Sequence, residues 1–296
     1  MPLFLRKDQG REFPFAPEYA FPGRGFVGTT QTQLKTYPRP KKHPEDSLEG
    51  LTVIQKLIAE RLSYRGYRRK SYDQYQESVR QHYSGFAGKF LRSCSIVSLH
   101  EPLASSFFKR GAFPVKGCKN ILDVGTGAGQ LLTHLVRHAD DDARIVATDL
   151  STEMLNRAAD RFADPRIDYV TAALTRLPFE DETFDCATCG WVLEYLPDPE
   201  PGLREISRVV RPGGRILLQC TENTVFGAMS SRLWKCRTFQ RSELQAECQR
   251  VGLNWQRELW FTRAHRLFRL GGIIVELTKA GSDKEQREVA PVAAAK

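Results

Sequence analysis

From Asn120 onward the chain alternates short apolar runs with stretches of helical periodicity, and that alternation restricts the fold more than any other feature. Ile121–Val124, Arg144–Thr148, Ile167–Thr171, Phe184–Cys189 and Arg215–Cys220 read as strands. Leu131–Ala139, Thr152–Phe162 and Pro201–Val210 read as the helices between them, and Ser242–Val251 as a helix ending at Gly252. Two closing strands, near 254–261 and 272–278, complete the pattern. Strands buried on both faces lack polar alternation and need helices above and below, so this order predicts an α/β fold with a mostly parallel sheet.

The residues before Asn120 are of another kind. Residues 1–45 carry six prolines between Pro14 and Pro44, with Gly23, Gly25 and Gly28 among them, which removes helix donors and predicts an irregular arm. A helix is expected from Asp46 or Ser47 to Leu62, with Leu51, Ile54, Leu57, Ile58 and Leu62 on one face. Further helix is expected over 72–90 and 102–110. The expected divisions are an irregular basic arm (1–45), a helical extension (46–118), a main domain (119–280) and a polar, Ala-rich tail (281–296).

Charge is distributed unevenly. Residues 1–70 hold 14 of the 44 Lys and Arg but only 7 of the 35 Asp and Glu, so the basic excess belongs to the arm and first helix. Such a segment is a solvated surface or a contact for an anionic membrane or nucleic acid. The nearly neutral main domain disfavours an extended nucleic-acid surface, so peripheral membrane contact is the partner expectation attached to the arm. No apolar run reaches the roughly 18–20 residues of a membrane span. The first residues are too short in apolar stretch for a signal peptide, which predicts a cytoplasmic protein. Seven scattered cysteines argue against a disulfide framework. Cys186 and Cys189 form a C-x-x-C inside a strand with no second pair nearby, so no metal site is expected.

Chemistry is concentrated at strand ends. Asp123-Val-Gly125-Thr126-Gly127-Ala-Gly129 follows the first strand directly. Glycines there let the backbone turn sharply and let a ligand approach where a Cβ would stand. The helix after them offers free N–H groups. Gln130 stands where a dinucleotide fingerprint wants glycine. Asp149 ends the second strand about 20 residues on, where a carboxylate suits two ribose hydroxyls. Asp149 or Ser151 equally suits the cap of the next helix.

Four segments in register, Ile121–Gln130, Ala147–Met154, Leu177–Asp185 and Leu203–Leu218, resemble the class I S-adenosylmethionine-dependent methyltransferases. The chain is similar to their small-molecule group, which includes the quinone-biosynthesis C-methyltransferases. The resemblance implies a Rossmann-like seven-stranded sheet, last strand antiparallel, with helices on both faces and an N-terminal helical extension. It implies S-adenosyl-L-methionine as cofactor, with Asp123, Gly125, Thr126, Gly127 and Gly129 at its methionine end and Asp149 at its ribose. Leu150, Met154, Ala173 and Leu174 fall at the adenine, and Gly190 closes the cofactor set at the end of the fourth strand. Ala173 departs from the group, which often has Asp there to accept from the adenine amine.

Catalytic candidates are Glu194 and Tyr195, in Gly190-Trp-Val-Leu-Glu-Tyr195 after the fourth strand, with Trp191 as a pocket wall. The segment 221–239, with Phe226, Met229, Leu233, Trp234 and Phe239, is expected to help line an acceptor pocket. The expected function is methyl transfer to a small hydrophobic or aromatic acceptor, on oxygen, carbon or nitrogen. The alternatives are a nucleic-acid methyltransferase that uses the basic arm, and a cofactor-binding protein without catalysis.

Overall fold

The computed structural model describes residues 53–66, 74, 77–81, 100–109 and 111–281. The expected arm (1–45), the start of the first helix, most of the helix expected over 72–90 and the tail beyond 281 lie outside the described residues.

The chain enters through α1 (Val53–Leu62) and α2 (His100–Lys109). The α/β run follows: β1 (Asn120–Val124), α3 (Leu132–His138), β2 (Arg144–Asp149), α4 (Thr152–Arg161), β3 (Ile167–Thr171), β4 (Phe184–Gly190), α5 (Glu200–Val209) and β5 (Val210–Cys220). After it come α6 (Val225–Trp234), α7 (Arg241–Arg250), β6 (Leu253–Glu258), α8 (Arg263–Phe268) and β7 (Ile273–Lys279).

The seven strands form one sheet in the order β3-β2-β1-β4-β5-β7-β6. Strands β1 to β5 pair in parallel, and β7 runs antiparallel to both of its neighbours. This is the doubly wound arrangement expected from the alternation. The order reverses between β1 and β4, and ligands in such sheets bind at the carboxyl ends beside that switch.

Strand alternation divides the core into two layers. On one face Leu122, Val124, Cys189 and Leu218 pack with Leu203 and Ile206 of α5 and Leu244 of α7. On the other, Ile121, Cys186 and Leu217 pack with Phe107 and Phe108 of α2 and Leu132 and Leu135 of α3. Cys186 and Cys189 therefore project to opposite faces, because three residues along a strand is an odd step. The C-x-x-C cannot close on one ion.

Candidate functional site

At the end of β1 the chain turns through Gly125 (φ +66°) and Gly127 (φ +56°), backbone conformations that L side chains rarely adopt. A Cβ at Gly125 would stand 2.1 Å from Val192 Cγ2, so the absence of a side chain also lets the segment after β4 close over the turn. Gly129 has φ +84° and packs against Phe162; it shapes the turn from behind and is not among the residues that border the cavity.

Asp149 joins the two halves of this corner. Its Oδ2 accepts from the Gly127 N–H at 2.9 Å and its Oδ1 from the Ser151 N–H at 2.9 Å. Ser151 is the N-cap of α4, accepting from the Met154 N–H at 3.3 Å. Ser151 is thus the cap of the helix, and Asp149 borders the cavity. Burial raises the Asp149 carboxyl above its ordinary range. Asp123 is 1% exposed and accepts from Thr188 Oγ1 at 2.5 Å and Thr126 Oγ1 at 2.9 Å. Burial nonetheless pushes its carboxyl up to about 6. A cationic ligand group beside it would draw it back toward the charged form.

These groups open on one cavity. Asp123, Gly125, Thr126, Gly127 and Gln130 border it from the glycine turn. Asp149, Leu150 and Met154 border it from the end of β2 and α4, and Ala173 and Leu174 from the loop after β3. Gly190, Trp191, Val192, Tyr195 and Leu196 border it from β4 and beyond, and Val79 of the N-terminal extension closes the wall. Trp191 holds φ +55°, which for a bulky residue is a strained conformation, and its N–H donates to the Gln219 carbonyl at 2.8 Å. The strain is held at the cavity wall, where such outliers tend to concentrate.

The two catalytic candidates separate. A 3-10 turn over Leu193–Tyr195 carries Tyr195 to the cavity, while Glu194 points into the protein. Glu194 is 2% exposed, and its Oε1 accepts from Thr221 Oγ1 at 2.6 Å. Among the described residues its Oε2 has no hydrogen-bond partner, and burial pushes the carboxyl up to about 8. Adjacent residues on a 3-10 turn are about 120° apart, so consecutive side chains cannot share a face. The segment 221–239 also departs from expectation. Most of it forms α6, packed beside α1, and Phe226, Met229 and Leu233 are exposed rather than turned to the cavity. Gln130, Leu131, Ala172, Val192 and Leu196 line the cavity without having been singled out as binding residues; apolar residues beside a glycine turn carry no sequence signal that separates lining from core.

Residues 122–218 match the family Methyltransf_11, a methyltransferase domain. Over 110 residues the chain is 40% identical to a demethylmenaquinone methyltransferase of Clavibacter sepedonicus, covering 37% of this chain and 43% of that protein. Over 108 residues it is 34% identical to the ubiquinone/menaquinone biosynthesis C-methyltransferase UbiE of Enterobacter sp. (strain 638), covering 35% of this chain and 43% of that protein. The chain thus spans less than half the length of these curated relatives. Two solved structures share the fold. The geranyl diphosphate C-methyltransferase of Streptomyces coelicolor A3(2) has TM-score 0.55 at 14% identity, covering 70% of this chain and 98% of that one. A SAM-dependent methyltransferase of Aquifex aeolicus has TM-score 0.51 at 17% identity, covering 65% and 97%. The glycine turn, the β2 acid and most of strands β1 to β5 thus sit in a segment, residues 122–218, that matches a methyltransferase domain and is similar to the quinone-biosynthesis C-methyltransferases.

Proposed function

We propose that the protein transfers a methyl group from S-adenosylmethionine to a small, largely apolar acceptor, at an oxygen, carbon or nitrogen atom. The observation that carries this reading is a single cavity bordered at one side by the Gly127–Asp149 corner and at the other by Trp191, Tyr195 and Leu196. Cofactor and acceptor would share one space, and a methyl transfer requires that.

The residues fit the cofactor part by part. The glycine turn admits the methionine end, and Asp123 is the carboxylate nearest to receive its ammonium group. Asp149 offers its unused lone pairs to the ribose hydroxyls. Leu150, Met154 and Leu174 supply an apolar bed for the adenine. Ala173 offers no carboxylate to the adenine amine, so in this reading the backbone around 173–174 carries that end. When bound, the cofactor supplies a methyl group on a sulfonium centre, activated for in-line displacement. The chain's own task is then to align the acceptor and to exclude water, which Trp191, Val192 and Leu196 do by their apolar surface. In this reading Tyr195, which borders the cavity, contacts the acceptor. Glu194 has a positioning role instead: through Thr221 it ties the turn after β4 to the end of β5.

Incubation with methyl-labelled cofactor and cell extract, followed by separation of organic-soluble, protein and nucleic-acid fractions, tests the acceptor class. Label in the organic fraction is the expected result. Label confined to nucleic acid would transfer the proposal to the basic arm. Contact of that arm with an anionic membrane is a separate part of the proposal, checked by flotation with vesicles with and without anionic lipid.

A further inference from the structure

Gln219, one residue before the end of β5, is fully buried, and among the described residues neither its Oε1 nor its Nε2 has a hydrogen-bond partner. It lies opposite Gly190 on β4 and opposite Ile274 on β7, in the middle of the sheet. Leu217, two residues earlier and so on the same face, packs in the apolar layer beneath α2 and α3. A leucine at 219 would suit that layer. An amide with both ends unpaired is among the costlier things a core can hold, so an orphan of this kind points to a partner absent from the resting protein.

The cavity lies immediately beside it. A Cβ at Gly190 would stand 3.2 Å from Gln219 Oε1 and 2.8 Å from Leu131 Cδ1. Gly190, Leu131 and Trp191 all border the cavity, and Trp191 is hydrogen-bonded to the Gln219 carbonyl. What separates the amide from the cavity is thus a residue without a side chain and the movable end of a leucine.

Strand order indicates which ligand meets it. Asp149 stands on β2, the glycine turn follows β1, and Gly190 ends β4. The proposed cofactor runs along this line from ribose to methionine end, and the next strand in the sheet is β5. Resting on the methyltransferase reading above, we propose that the Gln219 carboxamide is a specificity-determining group for the acceptor. It recognises a hydroxyl or carbonyl oxygen on an otherwise apolar molecule. A primary amide both donates and accepts, so it satisfies a hydroxyl completely and a carbonyl through its N–H. The rest of the wall, Trp191, Val192 and Leu196, asks only for carbon.

The test uses the full chain saturated with S-adenosylhomocysteine, with 2-naphthol and naphthalene as probes, their binding followed by ligand-observed NMR. Hydrophobicity alone favours naphthalene. A preference for 2-naphthol on the order of ten-fold, the weight of one hydrogen bond, is expected for the natural chain. Gln219→Leu, or the nearly isosteric Gln219→Met should Leu not fold, is expected to abolish that preference. It should leave homocysteine-cofactor affinity within about two-fold and raise the thermal midpoint, because an unpaired amide leaves the core. A purely structural Gln219 would show the reverse, a lowered midpoint with the preference intact, and that result overturns the proposal. So does equal or absent preference in the natural chain. Loss of S-adenosylhomocysteine binding in a folded variant assigns the amide to the cofactor and overturns it as well. If the natural chain itself fails to bind S-adenosylhomocysteine, the methyltransferase reading falls, which is distinguishable because no variant is involved.

Discussion

The Asp149 carboxylate accepts from Gly127 and from Ser151, so one side chain ties the glycine turn to the start of α4 while it faces the cavity. Asp149→Ala is expected to weaken S-adenosylhomocysteine binding by about 1.5–3 kcal/mol, the range for hydrogen bonds to a charged group, as read by calorimetry. An unchanged affinity would remove the ribose assignment. Glu194 has a different signature. Burial holds its carboxyl at about 8 against an ordinary 4.5, so the folded protein keeps a proton that the unfolded chain releases. Stability contributed by this group is complete below the lower value and is lost as pH rises toward the upper one. A pKa change of one corresponds to about 1.4 kcal/mol. Glu194→Gln is therefore expected to flatten the fall in urea midpoint between about pH 5 and 8, and to exceed the parent at pH 8 by about 1–3 kcal/mol. An undiminished slope would show that another group carries it. At this scale the sequence was legible where a residue type has one common use. Glycines after a strand and an acid at a strand end are such cases, and ten of the eleven positions expected at a cofactor lie together at one cavity. It was not legible at Glu194 and Tyr195, because which of two neighbours faces a ligand depends on a 3-10 turn three residues long. Nor was it at Gln219, which lies in an apolar run and is distinguished by the partners it lacks among the described residues.

Elements were legible in proportion to their periodicity. The strands β1 to β4 and the helices α3, α4 and α5 lie within a residue or two of their expected bounds, because each is an apolar run with a cap, a turn or a charged end. β5 starts at Val210 rather than at the expected Arg215, since Val210 already pairs with Phe184 before the register shifts. α8 went unread: six residues, Arg263–Phe268, are too few to show a period. The loop that follows β5 carries a buried carboxylate held by two arginines. Glu222, 3% exposed, accepts from Arg241 at 2.8 and 2.9 Å and also from Arg269, joining the start of α7 to the end of α8 beside the edge of β7. Arg241 reaches Glu258 of β6 at 3.0 Å and lies over the Trp260 ring. Removing one member of a buried pair leaves the other uncompensated. Arg241→Met is expected to cost about 3–5 kcal/mol in a urea titration, with much of the loss recovered in the Arg241→Met, Glu222→Leu double variant. A single-variant cost below 1 kcal/mol would mean that Arg269 alone satisfies Glu222.

In the whole molecule the matched segment, 122–218, ends inside β5, and β6 and β7 complete the sheet beyond it. The cavity is bordered by the matched segment and, upstream of it, by Val79. A ligand that binds only the folded state stabilises it by RT ln(1 + [L]/Kd), about 4 kcal/mol at a thousand-fold excess over Kd. S-adenosylhomocysteine at millimolar concentration is therefore expected to raise the unfolding midpoint by several degrees. Gly127→Val is expected to abolish the rise: position 127 borders the cavity and holds φ +56°, which a β-branched residue resists, so the turn proposed to receive the cofactor would be reshaped. Its midpoint without ligand should fall modestly, so the diagnostic quantity is the ligand-induced shift in each variant and not the midpoint itself. The same measurement tests the proposed division at residue 45. Every cavity residue lies at or after Val79, and the sheet begins at Asn120, so deleting residues 1–45 should preserve the ligand-induced shift. A truncated protein that folds but gives no shift would make the arm part of the cofactor site, and one that fails to fold would make it part of the core.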